Sequence, residues 1–219
     1  MKKIPVYFMP GLAASPTIFE RIHLPESVFE MHFLEWRVPD KNDTLQDYAQ
    51  RMVKQILHEN PILVGVSFGG ILIQEMARFI TCQKIIIISS VKSNQEFPVF
   101  FKIANNLKLY KLLPMSLFTW FEILLKRNPS KKGKKRWQLY DTFLNVRDQT
   151  YLKWSITQIL TWTKATPDEH VIHIHGDKDA IFPIKKIQHC IVVSGGTHIM
   201  IVTQYRWFNE HLPKIILEQ

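Results

Sequence analysis

The sequence predicts an α/β protein built on a mostly parallel sheet. Short runs rich in β-branched and aromatic residues alternate with segments of helical periodicity along most of the 219 residues. Lys84 to Ser90 (Lys-Ile-Ile-Ile-Ile-Ser-Ser) is a continuous apolar run, as expected of a strand whose two faces are both covered by helices. A glycine-flanked serine, Gly65-Val66-Ser67-Phe68-Gly69, stands where the run Ile62 to Val64 gives way to a helical pattern, which is the strand-to-helix step of a parallel sheet.

Taken in order, Ile4 to Met9 reads as a first buried strand running into the small-residue loop Pro10-Gly11-Leu12-Ala13-Ala14-Ser15. Phe29 to Trp36 reads as a second strand, closed by Val38-Pro39-Asp40. Thr44 to His58 is helical: Thr44 caps with Asp47 three residues on, and Leu45, Tyr48, Ala49, Met52, Ile56 and Leu57 share one face. After the Ile62 strand a helix is expected from Phe68 to Ile80, then the Lys84 strand. Val171 to His175 is another buried strand, leading into His175-Gly176-Asp177-Lys178-Asp179. Pro183 to His189 reads as a short helix, Ile191 to Val193 as the last strand, and Ser194 to His198 as a loop. A closing helix from Val202 to Leu217 is expected to bend at Pro213.

From Ser93 to Thr166 the alternation stops. That stretch has no convincing strand and reads as helices broken by Pro98, Pro114, Pro129 and Gly133. The chain therefore divides into residues 1–92, 93–166 and 167–219, the outer two forming one scaffold. The formal charge of +9 belongs to the middle: Lys92 to Ala165 holds fourteen basic and four acidic residues, the remainder fourteen and fifteen. Half of the chain's aromatics lie there too, which either core the helices or line an apolar acyl pocket. The run Lys131-Lys132-Gly133-Lys134-Lys135-Arg136 reads as a solvated loop or, flanked by Trp120, Phe121 and Trp137, as a contact for an anionic membrane surface or an anionic substrate such as an acyl-CoA. Nucleic acid ranks last among partners, since no nucleic-acid module is readable.

Pro5, Pro10 and Gly11 interrupt the N-terminus before a signal-peptide core develops, so the expectation is a cytoplasmic protein. Cys82 and Cys190 have no metal or redox spacing and read as free thiols. Leu112 to Leu125, the longest apolar stretch, contains Pro114 and Glu122 and is too short for a membrane span.

Acyl transfer needs a nucleophile, a base, an acid that orients the base, and donors for the oxyanion. Ser67 sits on a turn so tight that a Cβ at either flanking glycine would meet backbone, which pushes its hydroxyl out above the sheet. The turn also leaves the N–H of Phe68 free at a helix start. Taken singly, the pentapeptide is compatible with a glycine turn closing a strand, His198 with an idle loop residue, and Asp179 with an ordinary turn residue. The order Ser…Asp…His, each just beyond the C-terminal end of an expected strand, gives the three weight together, because those ends share one rim of a parallel sheet. Asp177 is the lesser candidate for the acid, and His175 reads as a stabiliser of its own loop.

Four pieces, Pro10-Gly11-Leu12, Gly65-Val66-Ser67-Phe68-Gly69-Gly70, His175-Gly176-Asp177-Lys178-Asp179 and Gly195-Gly196-Thr197-His198, make the chain resemble the α/β-hydrolase superfamily. The resemblance covers nearly everything outside the middle segment. It implies Ser67 as nucleophile, His198 as general base and then acid, Asp179 as the orienting carboxylate, and the backbone N–H groups of Leu12 and Phe68 as the oxyanion hole. It implies that 93–166 is a helical lid, and about six parallel strands rather than eight, since the chain begins at what would be the family's third strand. Pro10 stands where many members have His. Members that open epoxides or displace halide carry Asp at the elbow, and Ser67 argues against both. What is left is a serine hydrolase of the carboxylesterase or thioesterase kind, without cofactor or metal. The alternatives are a lyase or C–C hydrolase using the same triad, and a non-catalytic ligand-binding member.

Overall fold

The computed structural model describes residues 3–108 and 142–218. Six strands form one sheet in the order β2-β1-β3-β4-β5-β6: β1 (Ile4–Met9), β2 (Phe29–Phe33), β3 (Ile62–Val66), β4 (Lys84–Ile88), β5 (Val171–Gly176) and β6 (Ile191–Val193). Every adjacent pair is parallel. The helices are α1 (Leu45–Val53), α2 (Phe68–Met76), α3 (Val99–Asn106), α4 (Gln149–Thr161), α5 (Met200–Thr203) and α6 (Tyr205–Leu217).

Alternation along β1 divides the core in two. Tyr7 and Met9 point to one face, where they meet Tyr48 and Met52 of α1, Ile71 and Leu72 of α2 and Tyr151 of α4. Val6 and Phe8 point to the other, where Phe208 and Leu212 of α6 and Phe19 cover them. A sheet covered on both faces explains why Ile62 to Val64 and Ile86 to Ile88 are apolar at every position.

Between β4 and β5 the described residues contain a short 3-10 turn at Asn94–Glu96, α3 and α4, and no strand. The basic run Lys131 to Arg136, with Trp120, Phe121 and Trp137 beside it, falls outside the described residues. No helix among the described residues is long and apolar enough to cross a membrane.

Several element ends depart from the sequence expectations. The capping box of Thr44 and Asp47 forms, but α1 stops at Val53 rather than His58. Lys54, Gln55 and Ile56 tighten into bonds three residues back, the N–H of Leu57 turns to the Tyr7 hydroxyl, and Leu57 itself is exposed. Similarly α2 ends at Met76 rather than Ile80. The second strand ends at Phe33, and Trp36 turns its indole toward the Gly11 carbonyl. The expected helix over 183–189 is a single 3-10 turn, Ile184–Lys186. The last helix is divided at Gln204 and not at Pro213, which lies inside α6 where Leu212, Ile215 and Ile216 are held in the core.

Candidate active site

Ser67 joins β3 to α2 with φ 52 and ψ −120, a backbone state that L-residues rarely adopt. Its neighbours show why the position is surrounded by glycine. A Cβ on Gly65 would stand 2.5 Å from the Gly69 carbonyl oxygen, and one on Gly69 would stand 2.3 Å from that of Pro10. Both obstacles are backbone. The strained turn is tied down by the Ser67 N–H donating to the Ile88 carbonyl at 2.9 Å and by the Ser90 hydroxyl donating to the Ser67 carbonyl at 2.7 Å.

The Ser67 Oγ lies 2.9 Å from His198 Nε2, and His198 Nδ1 lies 2.9 Å from Asp179 Oδ2. Residues 131 positions apart thus meet at one rim of the sheet. The Asp179 side chain is fully buried, whereas that of His198 keeps 23% of its surface exposed. Asp179 spends its other oxygen, Oδ1, on the N–H groups of Ile181 and Phe182, at 2.8 and 3.0 Å. Burial pushes this carboxyl up, but the hydrogen bond and charge of His198, with the two N–H donors, outweigh it and hold the group below the ordinary 3.8. Asp177, the lesser candidate, instead accepts the Gly195 N–H at 2.7 Å.

The Asp179 turn and the His198 loop are packed together through glycine. A Cβ on Gly176 would stand 2.2 Å from the Gly196 carbonyl oxygen, and that same oxygen accepts the Lys178 N–H at 2.8 Å. His175 donates from Nε2 to the Phe182 carbonyl at 2.8 Å, which fixes the far side of the same turn. In the neutral ring its Nδ1 then accepts from His173 Nε2, at 3.0 Å. Burial lowers the pKa of both imidazoles, that of His173 far below 6.5.

The loop Pro10 to Ala14 faces Ser67, with the Ser67 Cβ 3.3 Å from the position a Gly11 Cβ would take. Among the described residues the N–H groups of Leu12 and Phe68 have no hydrogen-bond acceptor. Two aromatic side chains that sequence reasoning missed hold this loop. Trp36 Nε1 donates to the Gly11 carbonyl at 2.8 Å, and its ring stacks on Phe68 at 5.0 Å and 6°. The Tyr151 hydroxyl of α4 accepts the Ala13 N–H at 3.3 Å, while the Ala13 carbonyl accepts the Val146 N–H at 2.9 Å. No periodicity marks either residue; an indole and a phenol acting through their polar tips look like any other core aromatic in a sequence. A cleft of about 800 Å³ near Glu75, Arg78, Trp162 and Lys164 shares no residue with this site.

No family profile and no curated protein matches the sequence. Solved structures do match. An esterase from Exiguobacterium antarcticum superposes with a TM-score of 0.67 at 17% identity, covering 99% of this chain and 93% of its own. A bromoperoxidase from Bacillus anthracis gives 0.64 at 16%, covering 100% and 93%. An α/β hydrolase fold protein from Burkholderia ambifaria gives 0.62 at 14%, covering 100% and 91%. The six-stranded parallel sheet flanked by helices is the α/β-hydrolase fold.

Proposed function

We propose that the protein is a serine hydrolase that cleaves an ester or thioester of a small or lipophilic acyl group through Ser67, His198 and Asp179. The observation that carries this reading is the unbroken hydrogen-bonded chain from the Ser67 hydroxyl through both ring nitrogens of His198 to a buried, low-pKa carboxylate. The presence of an esterase among the similar structures agrees with it.

In the acylation step Ser67 Oγ attacks the carbonyl carbon while His198 Nε2 takes the hydroxyl proton, and Asp179 stabilises the resulting imidazolium through Nδ1–H. The carbonyl oxygen becomes an anion, received by the N–H groups of Leu12 and Phe68. Those donors are backbone groups held by the turn and the loop that carry them, so they need little rearrangement when the charge appears. Collapse of the tetrahedral intermediate breaks the bond to the alcohol or thiol, which leaves with the proton from His198. Water then attacks the acyl-Ser67 ester while His198 takes one of its protons, and as the bond from the acyl carbon to Ser67 Oγ breaks His198 returns that proton to Oγ, freeing the acid and restoring the serine. Phe182 stands edge-on to the His198 ring at 5.5 Å, and Phe97 and Phe101 pack behind it, which favours an apolar acyl group over a charged one.

Turnover of p-nitrophenyl esters of graded chain length, with a fluorophosphonate probe to label the nucleophile, tests this reading. Ser67→Ala should abolish both turnover and labelling while the fold is retained. Wild-type rates in that variant would rule the mechanism out.

A further inference from the structure

Beside the edge strand of the sheet a second group of titratable side chains converges. Glu30 and His32 are two residues apart on β2, the edge strand, so they share a face, and His58 reaches the same point from the turn that precedes β3. One carboxylate oxygen and one ring nitrogen from each imidazole lie within 4.8 Å of one another. His32 Nε2 is 3.2 Å from Glu30 Oε1, and His58 Nε2 is 3.8 Å from Glu30 Oε2. A tetrahedral ion with bonds of about 2.0–2.2 Å holds its donors roughly 3.3–3.6 Å apart, so small side-chain movements would complete three ligands.

Two features point to a ligand rather than to a chance meeting. His32 Nε2 is sealed from solvent, yet it has no hydrogen-bond partner among the described residues despite its nearness to Glu30. An imidazole nitrogen so placed costs stability unless something satisfies it. Moreover, the rings are already oriented by one buried residue, Tyr7, which pairs with His32 in the β1–β2 register. His32 stacks on the Tyr7 ring at 4.6 Å and 17°, and His58 Nδ1 lies 2.7 Å from the Tyr7 hydroxyl. A proton on His58 Nδ1, donated to that hydroxyl, leaves Nε2 as a lone-pair donor facing Glu30. An outer partner of this kind is what commonly fixes the tautomer of a metal-ligating histidine.

We propose that Glu30, His32 and His58 bind one divalent ion of the zinc class, with the half-exposed side of Glu30 leaving a fourth position to water. Two imidazoles and one carboxylate suit zinc, cobalt or nickel and not calcium or magnesium, which take oxygen donors. Ser67 follows β3 whereas His58 precedes it, so the ion is remote from the acyl chemistry. It ties the edge strand to the α1–β3 turn.

The test uses tag-free, chelator-treated protein. Cobalt(II) is titrated and followed by its visible d–d bands, zinc is then added in competition, and the melting temperature is read at rising zinc concentration. The site predicts one equivalent of cobalt, displaced by zinc, and a melting temperature that climbs with free zinc. Glu30→Gln and His58→Gln should each weaken binding by more than about tenfold, Tyr7→Phe by about 10–100-fold, and esterase turnover should not change. Undiminished binding in the Glu30→Gln/His58→Gln double variant would overturn the proposal, because other surface histidines would then be responsible. So would the absence of both cobalt bands and a zinc-dependent melting shift in the wild type.

Discussion

Asp179→Asn separates the orienting role of the carboxylate from simple packing, since the two side chains are nearly isosteric. Asp179 Oδ1 accepts two N–H groups, from Ile181 and Phe182. In the variant the amide oxygen must stay there, because the reverse orientation aims an NH₂ at two N–H donors. Leaving two buried donors without an acceptor costs about 2–6 kcal/mol. At the low end of that range the reversed amide is populated to roughly 3%, and at the high end it is negligible. The NH₂ therefore faces His198 and donates to Nδ1, which moves the imidazole proton to Nε2. That nitrogen then offers Ser67 a proton instead of accepting one. A triad with this wrong tautomer typically loses about 10⁴-fold in kcat, and the reversible fraction sets a floor near 30-fold. Hydrolysis of a p-nitrophenyl ester should show a fall within that range with KM little changed, and fluorophosphonate labelling of Ser67 should slow in parallel. Asp177→Asn is the control: an amide oxygen can still accept the Gly195 N–H, and kcat should stay within about twofold. A kcat for Asp179→Asn within fivefold of wild type, with the fold intact, would refute the assignment of the acid.

Other outcomes follow from the same geometry. Trp36→Phe removes the indole donor to the Gly11 carbonyl, a bond worth about 1 kcal/mol; kcat for ester hydrolysis should fall up to about fivefold without a change in KM. Gly69→Ala forces a Cβ against the Pro10 and Met9 carbonyls, and a melting curve should show a loss of about 1–3 kcal/mol together with lost activity. His173 and His175 are held neutral in the fold, so below the ordinary 6.5 the unfolded chain binds more protons and stability falls with pH. Urea unfolding at about pH 7 and pH 5 should show that loss, and His173→Gln should reduce it. Asp179 acts lower on the scale: its depressed carboxyl contributes stability above 3.8 that is lost as pH falls through the folded value, a loss Asp179→Asn should remove from acid unfolding curves.

The inner strands were legible because burial on both faces forces unbroken apolar runs, while the edge strand β6 was readable from three β-branched residues although Ile191 and Val192 are exposed. Ser67 was legible for a related reason: only glycine fits within 3 Å of another backbone, so the flanking glycines record a contact that lies far away in sequence. Helix ends were not, since they are decided by what the chain meets next. Nothing near Leu57 announces that its N–H will turn to a phenol fifty residues earlier. Pro213 misled for the opposite reason: its local cost is real, but three apolar neighbours buried on the sheet keep α6 continuous across it. The convergence of Glu30, His32 and His58 was equally hidden, because β2 and the turn before β3 are separated in sequence by α1 and meet only through the intervening strand β1.

The site divides into two bodies, each locked by contacts that tolerate no side chain. One joins the Ser67 turn to the loop Pro10 to Ala14, through Gly69 against Met9 and Pro10. The other joins the Asp179 turn to the His198 loop, through Gly176 against Gly196 and the Lys178 N–H bond. The first rides on β1 and β3 and the second on β5 and β6, with β4 between them. The Ser67 N–H bond to Ile88 and the Ser89 N–H bond to Ile174 stitch the two across that strand. The 2.9 Å distance from serine to imidazole is therefore set by the spacing of three adjacent parallel strands, not by the reach of a flexible loop. A substitution that loosens the β3–β4–β5 pairing would reach the chemistry by lengthening this one hydrogen bond, while leaving each half of the site internally correct.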